Sequence, residues 1–201
     1  MSPTSSTKST GEPSPWSVPF DIAEPTGRLQ RITDVEEAVD AITRTYQPGR
    51  LEIADSSRPL GMEIWSSALP GLRLNYLSYG TDVAITAPPM ERYVLCVPIA
   101  GQLRIGSAST QVEASAQQFG AAISPGRPVF ENWSADCRVL TARFAPDLLE
   151  ELLSAMLDEP LTGPIQFDLG MNLSDPSVRP VLRALTLVRN ELNDPDGITS
   201  D

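Results

Sequence analysis

The rhythm of apolar and polar positions changes along the chain. Between 32 and 46 it is helical: Val35, Ala38, Val39, Ile42 and Tyr46 recur at three- and four-residue spacing, which places them on one face. Thr33 with Glu36 has the form of a capping box, in which the hydroxyl meets an orphan amide and the carboxylate reaches back. Pro48-Gly49 predicts the stop. From Leu51 to Phe144 the rhythm shortens to runs that alternate or are wholly apolar. Strands are predicted over 51–54, 62–69, 72–79, 82–86, 92–99, 102–105, 111–114, 120–124, 129–133 and 138–144. Turn residues separate them, among them Pro70-Gly71, Pro88-Pro89, Gly101 and Pro125-Gly126.

Many short strands at close intervals argue for a sandwich or barrel rather than for strands alternating with helices. A sheet of that size has edges to hide, and closure hides them. After Pro146 the rhythm is helical again. Leu148, Leu149, Leu152, Leu153, Met156 and Leu157 give a broad apolar face. A further short strand is predicted over 164–169. Asp175 as cap and Pro176 at the first helical position open a last helix, which residues 193–197 end. Along that helix Val178, Val181, Leu185, Val188 and Leu192 are spaced three, four, three, four. That is an a/d seam, which suits a partner helix and equally suits a helix lying on its own barrel. The fold class expected is therefore mainly β with flanking helices.

Residues 1–19 are Ser-, Thr- and Pro-rich with little to bury, and are expected to be a loose arm. Trp16, Val18 and Phe20 could anchor its end. No apolar run approaches the roughly 18 residues that a spanning helix needs. With no signal-peptide layout at the start, a soluble, cytoplasmic protein without membrane contact is expected.

Composition then narrows the chemistry. The chain has 15 Lys+Arg against 26 Asp+Glu, a net charge of -11. A domain that grips nucleic acid by releasing counterions shows a basic face, so duplex DNA is not an expected ligand of these residues. There is no histidine. The commonest metal ligand and the commonest neutral-pH base are both missing, so no metal site, no cofactor and no catalytic residue is expected. Cys96 and Cys137 lie in or beside predicted strands, where a thiol usually packs as a small hydrophobe.

Binding is the better prospect. Trp65, Tyr76, Tyr79, Tyr93 and Trp133 fall in or beside strands, with Arg73, Asn75, Arg92, Glu131 and Arg143 close in sequence. Small-molecule pockets have this makeup, mostly apolar with a few directed polar groups. Trp65, Tyr76, Tyr93, Trp133 and Arg143 are the ligand-binding candidates. Alternation sets Val139, Thr141 and Arg143 on one face of their strand and Arg138, Leu140 and Ala142 on the other. It does not say which face is inward.

The segments DVEEAVDAITRTYQPGRLEI, LNYLSYGTDVAITAP, RYVLCVPIAGQLRI and AAISPGRPVFENWSADCRVLTARFAPDLLEELL, followed by the closing helix, resemble in order the N-terminal domain of AraC/XylS-type transcriptional regulators. The likeness is to the subgroup with the larger sensor domain. One departure is Gly49, where the pattern leads one to expect a histidine. The resemblance implies a cupin-like, jelly-roll barrel over 20–170 that binds a small-molecule effector. It implies a dimerisation helix over 171–193, with Val178, Val181, Leu185, Val188 and Leu192 at the interface of a homodimer. It also implies that DNA is bound only through a C-terminal helix-turn-helix part that these residues do not contain, 194–201 being the start of a linker. The stretch from 121 to 153 would then be the last barrel hairpin handing over to the helices, with its Pro-Gly turn and Trp133 near the barrel mouth. The other readings are a cupin-like enzyme without a metal and a dimerisation module with a filled barrel.

Overall fold

The computed structural model describes residues 29–107, 110–126 and 129–193; the expected arm, 1–19, and linker, 194–201, lie outside them. The element order is β1 (Gln30–Ile32), α1 (Val35–Thr45), β2 (Arg50–Ile53), β3 (Met62–Leu69), β4 (Leu72–Ser78), β5 (Val83–Ala87), β6 (Tyr93–Ala100), β7 (Gln102–Ser107), β8 (Thr110–Ser115), β9 (Phe119–Ile123), β10 (Val129–Trp133), β11 (Arg138–Phe144), α2 (Pro146–Leu157), β12 (Gly170–Asn172) and α3 (Arg179–Asn193). Every strand predicted between 51 and 144 is present, its ends shifted by two residues at most. Among the described residues the fold is mainly β, with three helices and one 12-stranded sheet.

The strand path is β1-β3-β4-β11-β6-β9-β8-β7-β10-β5-β2, with β12 added on β9. It is antiparallel throughout. The β8–β9 step rests on one residue pair, Ser115 with Phe119. There the path bends, and the strands on either side form two halves that face each other. The ladder does not close into a ring: β1 and β2 are its two edges. In sequence α1 alone lies between those edges, so a helix spans the seam that a closing ladder would have filled.

The stretch that looked like a last hairpin is not one. β10 pairs with β5 and β7, whereas β11 pairs with β4 and β6. The turn between them carries the chain from one half to the other. Polar anchors hold it: Ala135 N donates to Asp82 Oδ1 at 3.0 Å and Ser134 N to Gln102 O at 3.0 Å. Gly101 makes the crossing tight. Its φ is +64°, and a Cβ there would stand 2.6 Å from the Cys137 backbone.

Local details shift as well. Asp34, not Thr33, caps α1, accepting from Glu37 N at 2.9 Å. The helix buries Ala38 and Ala41, while Val35 stays exposed. The strand predicted over 164–169 does not form: Phe167 N is taken by the Ser124 hydroxyl at 2.8 Å instead of by a ladder, and the short strand β12 lies beyond it. Asp175 organises a turn through Ser177 N at 2.8 Å, and α3 proper starts at Arg179. The leucine face of α2 is largely open: Leu152 and Leu157 are exposed, and Met156 is 82% exposed.

Burial sorts the sheet into two faces. Inside lie Met62, Ile64, Leu77, Tyr79, Val94, Cys96, Ile105, Trp133, Cys137 and Val139, with Ile42 and Tyr46 of α1 against them. Outside, Trp65, Leu74, Tyr76 and Ala142 pack under Leu185, Val188 and Leu192 of α3. Val97, Leu140, Leu173 and Leu182 extend that outer layer. The open question on β11 is thereby answered: Val139, Thr141 and Arg143 are the inner set.

Candidate functional site

Between the two halves lies a cavity of about 50 Å³, counted as the space open to the centre of a water molecule. A water needs roughly 10–15 Å³ on that measure, so there is room for several, or for a small ligand. One wall comes from Leu77, Val94, Cys96 and Thr141 on β4, β6 and β11. The other comes from Ile85 and Ala87 on β5 and from Glu131 and Trp133 on β10. Ile42 of α1, its C-cap Tyr46, Gln47, Gly49, Tyr79 and Met90 complete the lining. The Pro125-Gly126 turn is close by, since Gly126 N donates to Met90 O at 2.8 Å.

Two polar features stand in this apolar surround. The first is Glu131. Its carboxylate accepts from the Trp133 indole Nε1 at 2.7 Å, a side-by-side pairing that residues two apart on one strand face can make. Burial raises the Glu131 carboxyl above its ordinary value, and the indole hydrogen bond offsets this only in part. The Trp133 ring meets Tyr79 edge-on, centroids 5.1 Å apart. Tyr79 and Cys96 are held neutral, their pKa values pushed well up by burial.

The second is a ladder of side chains across β3, β4 and β11. Ser66 Oγ donates to Asn75 Oδ1 at 2.9 Å, Asn75 Nδ2 donates to Thr141 Oγ1 at 3.1 Å, and that hydroxyl shares a hydrogen bond of 2.7 Å with Tyr46 of α1. Asn75 and Thr141 are buried, where an unmade hydrogen bond would be costly, and the ladder supplies the partners. Next on the same face is Arg143. Its guanidinium donates to Thr45 O and, at 2.9 Å, to Tyr46 O, and lies 5.0 Å from the centre of the Tyr46 ring. Those carbonyls are orphans of the α1 C-terminus, so a cation there is also favoured by the helix dipole. Toward the opposite half, Gln47 just after α1 donates from Nε2 to Pro88 O, beyond β5, at 2.8 Å. The C-terminal end of α1 is thus latched to both halves beside the cavity.

Residues 38–201 match the model of the AraC-binding-like domain. The chain belongs to that family. Solved structures similar to this AraC-binding-like domain include the AraC-like transcriptional activator CuxR, at TM-score 0.58 and 11% identity, covering 83% of this chain and 61% of that one. The chain therefore spans less than two thirds of that activator's length. Cupins also match: the Cnp3 cupin domain of Schizosaccharomyces pombe (TM-score 0.36, 8% identity, 50% of this chain and 74% of that one) and a cupin superfamily protein of Desulfitobacterium hafniense DCB-2 (TM-score 0.38, 9% identity, 48% and 98%). No curated protein matches the chain.

Of the five ligand-binding candidates, Trp133 alone lines the cavity of this AraC-binding-like domain. Arg143 is on the inner face but does not line the cavity; it holds the backbone carbonyl of Tyr46, which does line it. Trp65 and Tyr76 point the other way, into the layer under α3. Tyr93 belongs elsewhere: its hydroxyl donates to Glu150 of α2 at 2.6 Å and accepts from Ile165 N at 2.7 Å, and Phe167 meets its ring at 5.5 Å. Burial and the Glu150 bond push its pKa up to about 12. The seam residues divide too. Leu185 and Leu192 are buried against this chain's own sheet, Val178 and Val188 are half-buried, and Val181 is 40% exposed. The candidates lacked Tyr46, Thr141 and Glu131. Alternation carried the missing signal: to choose Trp133 as inward is to choose Glu131, and to choose Arg143 is to choose Thr141. Gly49 lines the cavity at the position where the resemblance suggested a histidine, so no imidazole reaches it.

No helix among the described residues is long and apolar enough to cross a membrane. The described residues also hold no group of three or more His, Cys, Asp or Glu able to share a metal ion.

Proposed function

We propose that this domain senses a small-molecule effector in the cavity between the sheet halves, as part of an AraC-type transcriptional regulator. The observation that carries the reading is the cavity itself. It is apolar, it holds a directed carboxyl and indole, and it is bounded by a helix latched from both sides. Binding would shift the balance between arrangements of α1 and the sheet, which is how occupancy can be passed to another part of a regulator. Contact with DNA belongs to a part beyond these residues, in keeping with the net charge of -11. Pairing of two copies is the second half of the proposal, and α3 with its partly exposed Val181 is where we place it. Family membership and the fold shared with a solved AraC-like activator support the regulatory setting.

A thermal-shift screen of small molecules tests the sensing reading. An effector at 100 times its dissociation constant adds about 2.7 kcal/mol to stability. Ala87→Phe, which places a ring in the cavity, should abolish that gain. A stabilising compound that acts equally on Ala87→Phe would show that the cavity is not the site.

A further inference from the structure

We infer that the cavity is built for a small cationic ligand, an amine or ammonium carried on a compact apolar or aromatic body. The inference rests on the sensing proposal and narrows it to a chemical class.

The argument starts from charge. Among the described residues at the cavity, Glu131 is the one side chain that carries a full charge in its ordinary ionised state. The titratable groups facing it are Tyr46 of α1, Tyr79 after β4, Cys96 of β6 and Cys137 before β11. Burial raises all of them, so they stay neutral over the working range. Arg143, the nearest cation along the β11 face, has its guanidinium committed to the carbonyls of Thr45 and Tyr46. Among the described residues Glu131 therefore has a neutral indole as its hydrogen-bond partner and no cation paired with it. A carboxylate removed from water without a counter-charge is costly, and a protein that keeps one in a cavity gains most from a ligand that brings the charge.

The rest of the wall fits the same ligand. Trp133, Tyr79 and Tyr46 give it three aromatic rings, and rings attract cations through their negative faces. Arg143 against Tyr46 shows one of these rings already doing so. Leu77, Ile85, Ala87 and Val94 supply apolar surface for a carbon body. An anionic ligand would meet Glu131 with like charge, and a neutral one would leave it unpaired.

The test uses two matched sets on the whole chain: benzylamine, benzyl alcohol and benzoate, and n-butylamine, n-butanol and butyrate. Calorimetry should show each amine binding at least about tenfold more tightly than its alcohol, the order expected of a charge-assisted hydrogen bond. The carboxylates should bind least. Amine affinity should fall as pH is lowered through the range where Glu131 takes up its proton, because the protonated carboxyl has no charge to offer. Glu131→Gln should fold, erase the preference of amine over alcohol and remove the pH dependence.

If alcohols or acids bind as well as amines, and Ala87→Phe blocks them, the cavity is a binding site and the cationic class is wrong. If no probe binds, the cationic class is wrong; if binding survives Ala87→Phe, the cavity is not the site and the sensing reading there fails with it.

Discussion

On β4, Asn75 and Leu77 face inward while Leu74 and Tyr76 face outward; on β11, Thr141 and Arg143 face inward while Leu140 and Ala142 face outward. The same strands thus build two unlike surfaces. The outer one is largely apolar packing: α3, which also buries Arg189, lays Leu185, Val188 and Leu192 on Trp65, Leu74 and Tyr76. The inner one carries the polar ladder, and α1 covers it without filling it, leaving the cavity beside Tyr46. Aromatic residues occur on both sides, so their number does not mark the site. What separates the faces is the cavity, which only the inner one borders. Tyr76 and Trp65 sit among leucines, whereas Trp133 and Tyr46 sit beside a carboxyl and a threonine hydroxyl.

The largest effect is expected on the outer face. Leu185 is 4% exposed within a single chain. Truncating such a leucine costs about 2–5 kcal/mol. Leu185→Asp should cost more, since it adds a carboxylate with no partner. Denaturant unfolding followed by circular dichroism should show a large loss of stability, or a chain that is unfolded at the outset. A folded Leu185→Asp chain of near wild-type stability would mean that α3 does not lie on its own sheet. An a/d seam records only that one stripe of a helix is apolar. It does not record whether that stripe meets a second copy or its own barrel.

Legibility followed the same division. The strands from 51 to 144 were readable because each is short, alternating or apolar, and bracketed by Pro or Gly. Their pairing was not. Nothing in the run Trp133 to Asp136 distinguishes a hairpin turn from a crossing between sheet halves. The difference lies in Asp82 and Gln102, which hold the turn from far away in sequence. β1 and β12 have three residues each, too few for a period to show. In the site, alternation sorts residues into sets but does not say which set is inward, and Trp65 on β3 and Tyr76 on β4 belong to the set under α3. The helix that turns the outer face into a second core comes a hundred residues later in the chain.

A smaller effect is expected where the inner face is latched. Arg143→Met keeps the apolar stem and removes the guanidinium that holds the Thr45 and Tyr46 carbonyls. A hydrogen bond from a charged group is worth about 1.5–3 kcal/mol, so global stability should fall by an amount of that order. Hydrogen exchange should rise most in α1 and little in α3, because the latch touches only the former. Equal loosening of both helices would break the contrast drawn between the two faces.

Next comes pH. The folded-state pKa of Glu131 is raised, so the folded chain holds its proton more tightly than the unfolded one. Stability from this group therefore falls as pH rises from the ordinary value of 4.5 through the raised folded value. Glu131→Gln lacks this loss. In the absence of ligand the variant should be the more stable of the two at neutral pH, and the gap should close below pH 4.5, where the carboxyl is protonated in both states. Thermal midpoints measured on both proteins across that window decide it. A variant less stable than wild type at neutral pH would show that Glu131 is ionised and paired, which would remove the reason for a cationic ligand.

The smallest change in stability is expected at Val181, at the margin of the outer packing. It is 40% exposed, while Leu182 beside it is 1% exposed. Substituting an exposed helix residue usually moves stability by no more than about 0.5 kcal/mol. Val181→Asp should therefore leave the unfolding of an isolated chain nearly unchanged. Its effect on association is a separate matter. A two-fold contact uses each residue twice, so an interface along this margin would bring two new carboxylates together. Light scattering should then show a pair for the wild type and a weaker or absent pair for Val181→Asp, with circular dichroism unchanged. Because Leu185 and Leu192 are already spent on the chain's own sheet, Val181 is the seam residue with the most surface left to offer. A pair that survives Val181→Asp intact would place the contact away from α3, and the outer face would then be scaffold alone.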